Sequence, residues 1–246
     1  DQLRAPDASA ALEAMVQTLD PTQYEAYAFV RDWAVARLHW RQAVGRQSLT
    51  AAPPPLRFLL LGTAGTGKTY TAKTFIAEAR RTLGSFEAVL TLAFSGVAAA
   101  NLGDGASTID SVFHTNKGDA HADLEGDGLD RLVEKLRRVE LLVIDEISTV
   151  GAASFEIINR RLQQVRMALW RLRFDSAPPH DMSNFGGIGV VCMGDFAQLP
   201  PVLSTSLLPG SSVQEGKKDG MRTLALNGIQ TLSLIHISEP TRLAEI

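Results

Sequence analysis

Cysteine is nearly absent: Cys192 is the single one in 246 residues. That excludes an internal disulfide and fits a reducing compartment. No apolar run approaches the ~20 residues that span a bilayer, so no membrane partner is expected. No secretory signal pattern is visible. Excess positive charge is missing too: 24 Lys and Arg stand against 27 Asp and Glu, a formal net charge of −3. The protein is not globally basic, so any contact with nucleic acid must come from a local groove or a few arginines. No internal repeat is present. The first residue is Asp1 and not Met, so a fragment is expected at the start. What remains is an ordinary globular composition, 45% hydrophobic, sized for one large α/β domain or two small ones.

The most informative stretch is GTAGTGKT, Gly62, Thr63, Ala64, Gly65, Thr66, Gly67, Lys68 and Thr69, directly after the apolar run Leu56 to Leu61. It fits the P-loop pattern. Glycines at three of these positions leave backbone N–H groups free to converge on phosphate oxygens. A helix starting near Lys68 adds its positive dipole end. Lys68 supplies a mobile charge for the outer phosphates, and the Thr69 hydroxyl is placed for Mg²⁺. A nucleotide polyphosphate with Mg²⁺ is the expected ligand.

A second motif, LLVIDEIS (Leu141 to Ser148), runs four apolar residues into two adjacent carboxylates. Alone it reads as a strand ending in a solvated acidic turn. After a P-loop, Asp145 is expected to hold Mg²⁺, and Glu146 to orient and deprotonate the attacking water. A third, GDFAQLPPV (Gly194 to Val202), again follows an apolar run. Gln198 there can hydrogen-bond a γ-phosphate or the attacking water and so report nucleotide state.

Strands are expected at Leu56 to Leu61, Ala88 to Ala93, Leu141 to Ile144 and Gly189 to Met193, with helices between them. That alternation argues for an α/β fold with a parallel sheet covered on both faces. At the N-terminus, Asp20, Pro21 and Gln23 form a helix-start signature. Ser154 to Leu172 is expected to be a long helix carrying Arg160, Arg161, Arg166, Arg171 and Arg173. A solvated basic face is the preferred reading of those arginines, a DNA path the other. His114, His121 and His180 lack metal-ligand spacing and receive no role.

Five stretches in this order resemble the petite integration frequency (Pif) DNA helicases, relatives of RecD in superfamily one. They are LDPTQ (Leu19 to Gln23), GTAGTGKT, LAFSGVAAANL with GASTIDSVF (Leu92 to Phe113), VIDEIS and GDFAQLPPV. The resemblance implies a P-loop NTPase of RecA-like architecture moving 5′ to 3′ on single-stranded DNA and opening duplex junctions. It implies that Gln23 reads the adenine edge, and that Ser95, Gly96, Thr108 and Ser111 contact single-stranded DNA. Asp110 stands where the family commonly has His, and Phe94 where it commonly has Pro. A carboxylate beside phosphates is unfavourable, so Asp110 is expected to point away or to pair with a base amine.

The implied organisation is an N-terminal helical segment at 1–50 and a first RecA-like motor domain at 51–231. Residues 204–220 fall where the family carries a small wedge insertion, although a loop suits the composition equally. A second RecA-like domain of the parent chain is expected to supply a catalytic arginine, of the kind worth ~10³ to 10⁵ in rate. Without it, the fragment is expected to bind ATP weakly and hydrolyse it poorly. Residues 232–246 look foreign. Leu232 to Arg242 resembles an in-frame translation of a transposase sequencing adapter, and on that reading the segment is excluded from fold reasoning and His236 and Arg242 receive no role. The rival reading is a genuine strand leading to a nucleotide-contacting arginine, which Arg242 could imitate. The location implied is intracellular, nuclear or mitochondrial in a eukaryote. Two other function classes stay open: a nucleotide-dependent binding module without turnover, and an unrelated P-loop ATPase such as a clamp-loader relative.

Overall fold

The strands are short runs of Leu, Val and Ile without polar alternation, the pattern of a sheet buried on both faces. The computed structural model describes residues 6–45, 52–115, 120, 122–174, 184–198 and 207, and the backbone of 233–237. In chain order the elements are α1 (Pro6–Gln17), α2 (Pro21–Gly45), β1 (Arg57–Gly62), α3 (Lys68–Leu83), β2 (Val89–Ala93), α4 (Gly96–Leu102), β3 (Ser107–Thr108), α5 (Ile109–Phe113), α6 (Gly126–Leu136), β4 (Leu141–Asp145), α7 (Ala152–Arg173), β5 (Gly189–Gly194) and β6 (Ser233–Ile237). The sheet order is β3-β2-β4-β5-β1-β6, and every pairing is parallel. This is the expected α/β sheet.

Alternate residues of each strand feed two separate cores. Phe58, Leu60, Val89, Leu141, Val143, Val191 and Met193 pack with α2, α3 and α4 on one face. Leu59, Leu92, Leu142, Ile144, Val190 and Cys192 pack with α5, α6 and α7 on the other. The period of two along a strand puts neighbours on opposite faces, so one apolar run serves both layers. The N-terminal helices therefore belong to the same body as the sheet: Ala26, Val30 and Ala34 of α2 share a core with Phe75 and Ala79 of α3.

The arginines of α7 divide: Arg171 and Arg173 are exposed, as a solvated face requires, and the other three are held by neighbouring segments. Arg161 is buried, and its guanidinium donates to the carbonyl oxygens of Ala122 and Ala120 at 2.7 and 3.0 Å. Arg160 pairs with Asp123 at 2.7 Å. Arg166 donates to the Gly186 carbonyl at 3.3 Å, and burial lowers its pKa. Gly186 has φ +60, and a Cβ there would sit 2.5 Å from Arg166 Cγ, so glycine is required. These three side chains tie the segments around 120–124 and 184–187 to α7. Charge periodicity along a helix cannot distinguish a tether from a solvated face.

Five residues of the segment set aside at 232–246 lie in the described sheet. Ser233–Ile237 adds a parallel edge strand to β1, in register Phe58↔Ser233 to Gly62↔Ile237. The open edge of β1 presents unpaired N–H and C=O groups, and an extended segment satisfies them whatever its origin. The rest of 232–246, Arg242 included, lies outside the described residues, as does 204–220 apart from Leu207, which is buried in the second core.

Candidate nucleotide site

The P-loop emerges from β1 and enters α3 as its sequence requires. Gly65 and Gly67 take φ +85 and +83, the left-handed region open to glycine. At Gly67 a second constraint applies: a Cβ would lie 2.5 Å from Gln23 Nε2. Gln23 occupies that space because its amide is held at both ends. Nε2 donates to the Thr66 carbonyl at 3.0 Å, and Oε1 accepts from the Asp20 N–H at 3.2 Å. Asp20 Oδ1 in turn accepts from the N–H groups of Thr22 and Gln23 at 2.8 and 2.9 Å, closing the capping box read from the sequence. The first turn of α2 is thus bonded to the back of the loop.

Three strand ends converge beyond the loop. The C-terminal ends of β1, β4 and β5 border one hollow of about 890 Å³, lined by Ala64, Gly65, Gly67, Lys68, Thr69, Asp145, Glu146 and Gln198 among others. Parallel α/β sheets bind ligands at this end, where helix N-termini and strand-end loops meet. Gly62, Thr63 and Thr66 do not line the hollow. The carbonyls of Gly62 and Thr63 accept from Lys68 Nζ at 2.6 and 2.7 Å, and Thr66 Oγ1 donates to Thr63 at 2.9 Å. The lysine is folded back on its own loop. Gln23 sits behind the loop, outside the lining.

The acids are held differently from one another. Asp145 is 8% exposed, and burial pushes its carboxyl up to about 6, opposed by the N–H that Glu146 donates to Oδ1 at 2.7 Å and by the charge of Lys68. Glu146 has φ +55, a left-handed conformation uncommon for a side chain larger than Gly or Asn. Its backbone is fastened on both sides, the N–H to Asp145 and the carbonyl to Thr149 Oγ1 at 2.7 Å. Burial lowers the pKa of Lys68, and the charges of Asp195 and Asp145 oppose that shift. Asp195 is a lining residue to which the sequence reading gave no role, although it stands within GDFAQLPPV. Its signal was there: an acid directly after a buried strand, like Asp145. Its Oδ1 accepts from Ala197 N–H at 2.9 Å and its carbonyl from Gln198 N–H at 3.1 Å, which turns Gln198 toward the hollow.

Among the described residues the Thr69 hydroxyl makes no hydrogen bond, unlike Thr71 and Thr74 on the same helix, which bond back to Gly67 and Tyr70. A hydroxyl left over at the first turn, lining the same hollow as a buried carboxyl, fits Mg²⁺. No group of three His, Cys, Asp or Glu is gathered among the described residues. Such an ion would take most of its ligands from phosphate and water, which is Mg²⁺ behaviour.

Ser95, Gly96, Thr108 and Ser111 lie together at the sheet's β2–β3 edge, where Ala93 pairs with Thr108. Their hydroxyls are engaged locally. Thr108 Oγ1 accepts from Ser111 N–H at 3.2 Å, and Ser111 Oγ donates to the Thr108 carbonyl at 2.8 Å. Ser95 Oγ accepts from Ala98 N–H at 3.1 Å and donates to Glu146 Oε2 at 3.4 Å. Asp110 Oδ1 accepts from Thr115 Oγ1 at 3.4 Å.

A larger hollow, about 1010 Å³, opens at the other end of the strands. Its arginines are largely committed: Arg37 and Arg41 both pair with Glu140 at 2.8 Å, and Arg138 with Glu87 at 3.1 Å. Among the described residues its lining has neither a glycine-rich phosphate loop nor the paired strand-end acids of the first hollow. No described helix is long and apolar enough to cross a membrane.

A glycine-rich strand-to-helix loop with its lysine, facing strand-end acids across a parallel sheet, defines a P-loop NTPase of RecA-like architecture. The family model described as PIF1-like helicase matches residues 48–211, and the chain belongs to that family. The chain is 35% identical over 148 residues to the ATP-dependent DNA helicase Pif1 of Psychrobacter sp., a match covering 58% of this chain and 19% of that protein. It is 36% identical over 149 residues to the Pif1 helicase of Bdellovibrio bacteriovorus, covering 59% and 29%. The chain thus aligns with less than a third of the length of these relatives. Among solved structures, a Bacteroides Pif1 helicase in complex with ADP-AlF3 and ssDNA superposes with TM-score 0.50 at 25% identity, covering 77% of this chain and 40% of that one. A Pif1 structure addressing DNA unwinding at forked dsDNA gives TM-score 0.58 at 23% identity, covering 90% and 44%.

Proposed function

We propose that this chain is the first RecA-like motor domain of an ATP-dependent DNA helicase, coupling ATP hydrolysis to 5′ to 3′ movement on single-stranded DNA. The observation that supports it is the gathering of Lys68, Thr69, Asp145, Glu146 and Gln198 around one hollow. In this reading the loop N–H groups cradle the phosphates and Lys68 leaves its carbonyl partners for the outer phosphates. Thr69 and Asp145 hold Mg²⁺, which neutralises charge on the phosphates. Glu146 accepts a proton from water as the oxygen bonds to the γ-phosphorus and the bond to ADP breaks. Gln198 senses whether the γ-phosphate is present, and Gln23 reads the adenine edge by exchanging one of its two present partners.

Ser95, Gly96, Thr108 and Ser111 are proposed to meet the DNA backbone through N–H groups and hydroxyls. The related Bacteroides structure with ADP-AlF3 and ssDNA supports the pairing of nucleotide with single strand. A second RecA-like domain supplies the arginine that steadies the transferring phosphoryl group. ATP turnover measured on a polypeptide carrying both domains, with and without oligo-dT, tests the assignment. Stimulation by the oligonucleotide is expected, and an ATPase indifferent to it overturns the reading.

A second reading, a nucleotide-dependent binding module without turnover, is favoured by the described lining of the hollow, which comes from the rim of one sheet and its flanking helices α3 and α4. Turnover by this chain alone at rates of intact helicases would exclude it.

A further inference from the structure

Glu146 is the residue whose orientation decides whether water is activated, and its setting leaves one freedom. The backbone N–H is bonded to Asp145 and the carbonyl to Thr149, at 2.7 Å each, in a left-handed conformation that a glutamate adopts only when its surroundings impose it. The main chain is fixed and the carboxylate can still swing about its side-chain torsions. Its contact is the hydroxyl of Ser95, at 3.4 Å.

Ser95 stands at the end of β2, the strand beside β4 in the sheet, with Ala93 in register with Asp145. Its hydroxyl has two tasks, accepting from Ala98 N–H at 3.1 Å and donating its single proton to Glu146. A hydroxyl has one proton to give. Any other acceptor that takes that proton takes it from Glu146. The surface around Ser95 suits such an acceptor. Phe94 is 51% exposed and Val97 75% exposed on either side of it, and nothing stands within 4 Å of where a Gly96 side chain would be. An exposed ring and an exposed aliphatic side chain flanking a hydroxyl offer a base something to stack on and a phosphate something to bond to.

We propose that Ser95 is a positioning residue that couples occupation of the Phe94–Val97 surface by single-stranded DNA to the orientation of Glu146. This rests on the helicase reading above. Without DNA, Ser95 holds the Glu146 carboxylate toward β2. A phosphate that accepts the Ser95 proton releases the carboxylate toward the hollow and the water it deprotonates. The same residue thereby restrains wasteful hydrolysis and registers the strand.

The test uses the two-domain polypeptide and three variants, reading basal and oligo-dT-stimulated ATP turnover, with DNA affinity followed separately by fluorescence anisotropy. Ser95→Ala removes both the cap on α4 and the proton donor. Ser95→Asp keeps an acceptor for Ala98 N–H but has no proton to give, and Ser95→Thr keeps both functions. Basal turnover is expected to rise about 2- to 5-fold in Ala and Asp, the factor a weak hydrogen bond commands. Stimulation by DNA should shrink correspondingly at saturating oligonucleotide, and Thr should restore most of the ratio of stimulated to basal rate that Ala and Asp lose. If Asp retains the ordinary ratio of stimulated to basal rate, Ser95 is a helix cap only and the coupling is wrong. If the unsubstituted protein shows no stimulation, the helicase reading fails first, whatever the variants do.

Discussion

The side-chain amide of Gln23 donates to the carbonyl oxygen of Thr66 across 3.0 Å, so a residue on α2 braces the phosphate loop from behind. The same amide oxygen closes the capping box of α2 through Asp20 N–H. One side chain therefore serves helix initiation and loop shape, and the proposed adenine reading requires it to give up one of the two. Gln23→Ala is expected to lower stability by about 1 kcal/mol, the scale of a lost cap. It should also weaken ATP binding about tenfold and inorganic tripolyphosphate binding less, both by calorimetry. Equal losses for the two ligands would confine Gln23 to bracing.

Gly67→Ala meets two penalties at once. The backbone sits at φ +83, and the new methyl would lie 2.5 Å from Gln23 Nε2. The left-handed conformation alone costs about 1 kcal/mol for a non-glycine residue. Nucleotide affinity should fall at least about tenfold, and adding Gln23→Ala should recover only part of it, because the second change removes the clash and leaves the strain. Full recovery in the double variant would show that the positive φ is without consequence.

In the proposed mechanism Lys68 and Glu146 divide binding from chemistry. Lys68→Ala should weaken ATP binding and hydrolysis together, since the ammonium touches the phosphates in ground and transition states alike. Glu146→Gln should leave binding within about twofold and remove turnover in the two-domain enzyme, because it keeps size and loses the base. Normal single-turnover hydrolysis in Glu146→Gln would overturn the general-base assignment.

Arg161 separates a structural arginine from a DNA-contacting one. It holds the carbonyls of Ala120 and Ala122 from a buried position. Arg161→Met should destabilise the fold by about 2–4 kcal/mol in urea unfolding, since buried carbonyls lose charged donors. The salt dependence of oligonucleotide binding should not change. A slope shallower by about one would mean that the guanidinium neutralises a phosphate.

Cys192 reports global unfolding. It is fully buried on β5, and burial pushes its thiol up to about 12 from an ordinary 9.0, with Arg57 opposing. Between those values the unfolded chain sheds a proton that the folded chain keeps. Stability from this group is therefore whole below pH 9 and declines as pH rises toward 12. The native protein should resist a thiol reagent at pH 8 and label on denaturation, followed by mass spectrometry. Rapid labelling of the native state would place Cys192 outside the core.

Much of this protein is written locally. The P-loop, the acids ending β4 and the cap of α2 each depend on residues within a few positions of one another, and backbone sterics and hydrogen-bond valence dictate their form wherever they occur. The strands are legible for the same reason, because a run such as LLVID is buried only where both faces of a sheet are covered. Other features need the chain to be folded before they exist. Arg161 and Arg166 sit on a helix face that charge pattern alone describes as solvated, and their partners lie on segments about 20 to 40 residues away. Asp195 gains its relation to Lys68, and Ser95 its contact with Glu146, only because β1, β2, β4 and β5 lie side by side in an order unlike their order in the chain. Sequence determined which residues have the chemistry for a phosphate site. Tertiary structure decided which of them meet, since strand order brings distant side chains within a few ångströms and no local rule encodes it.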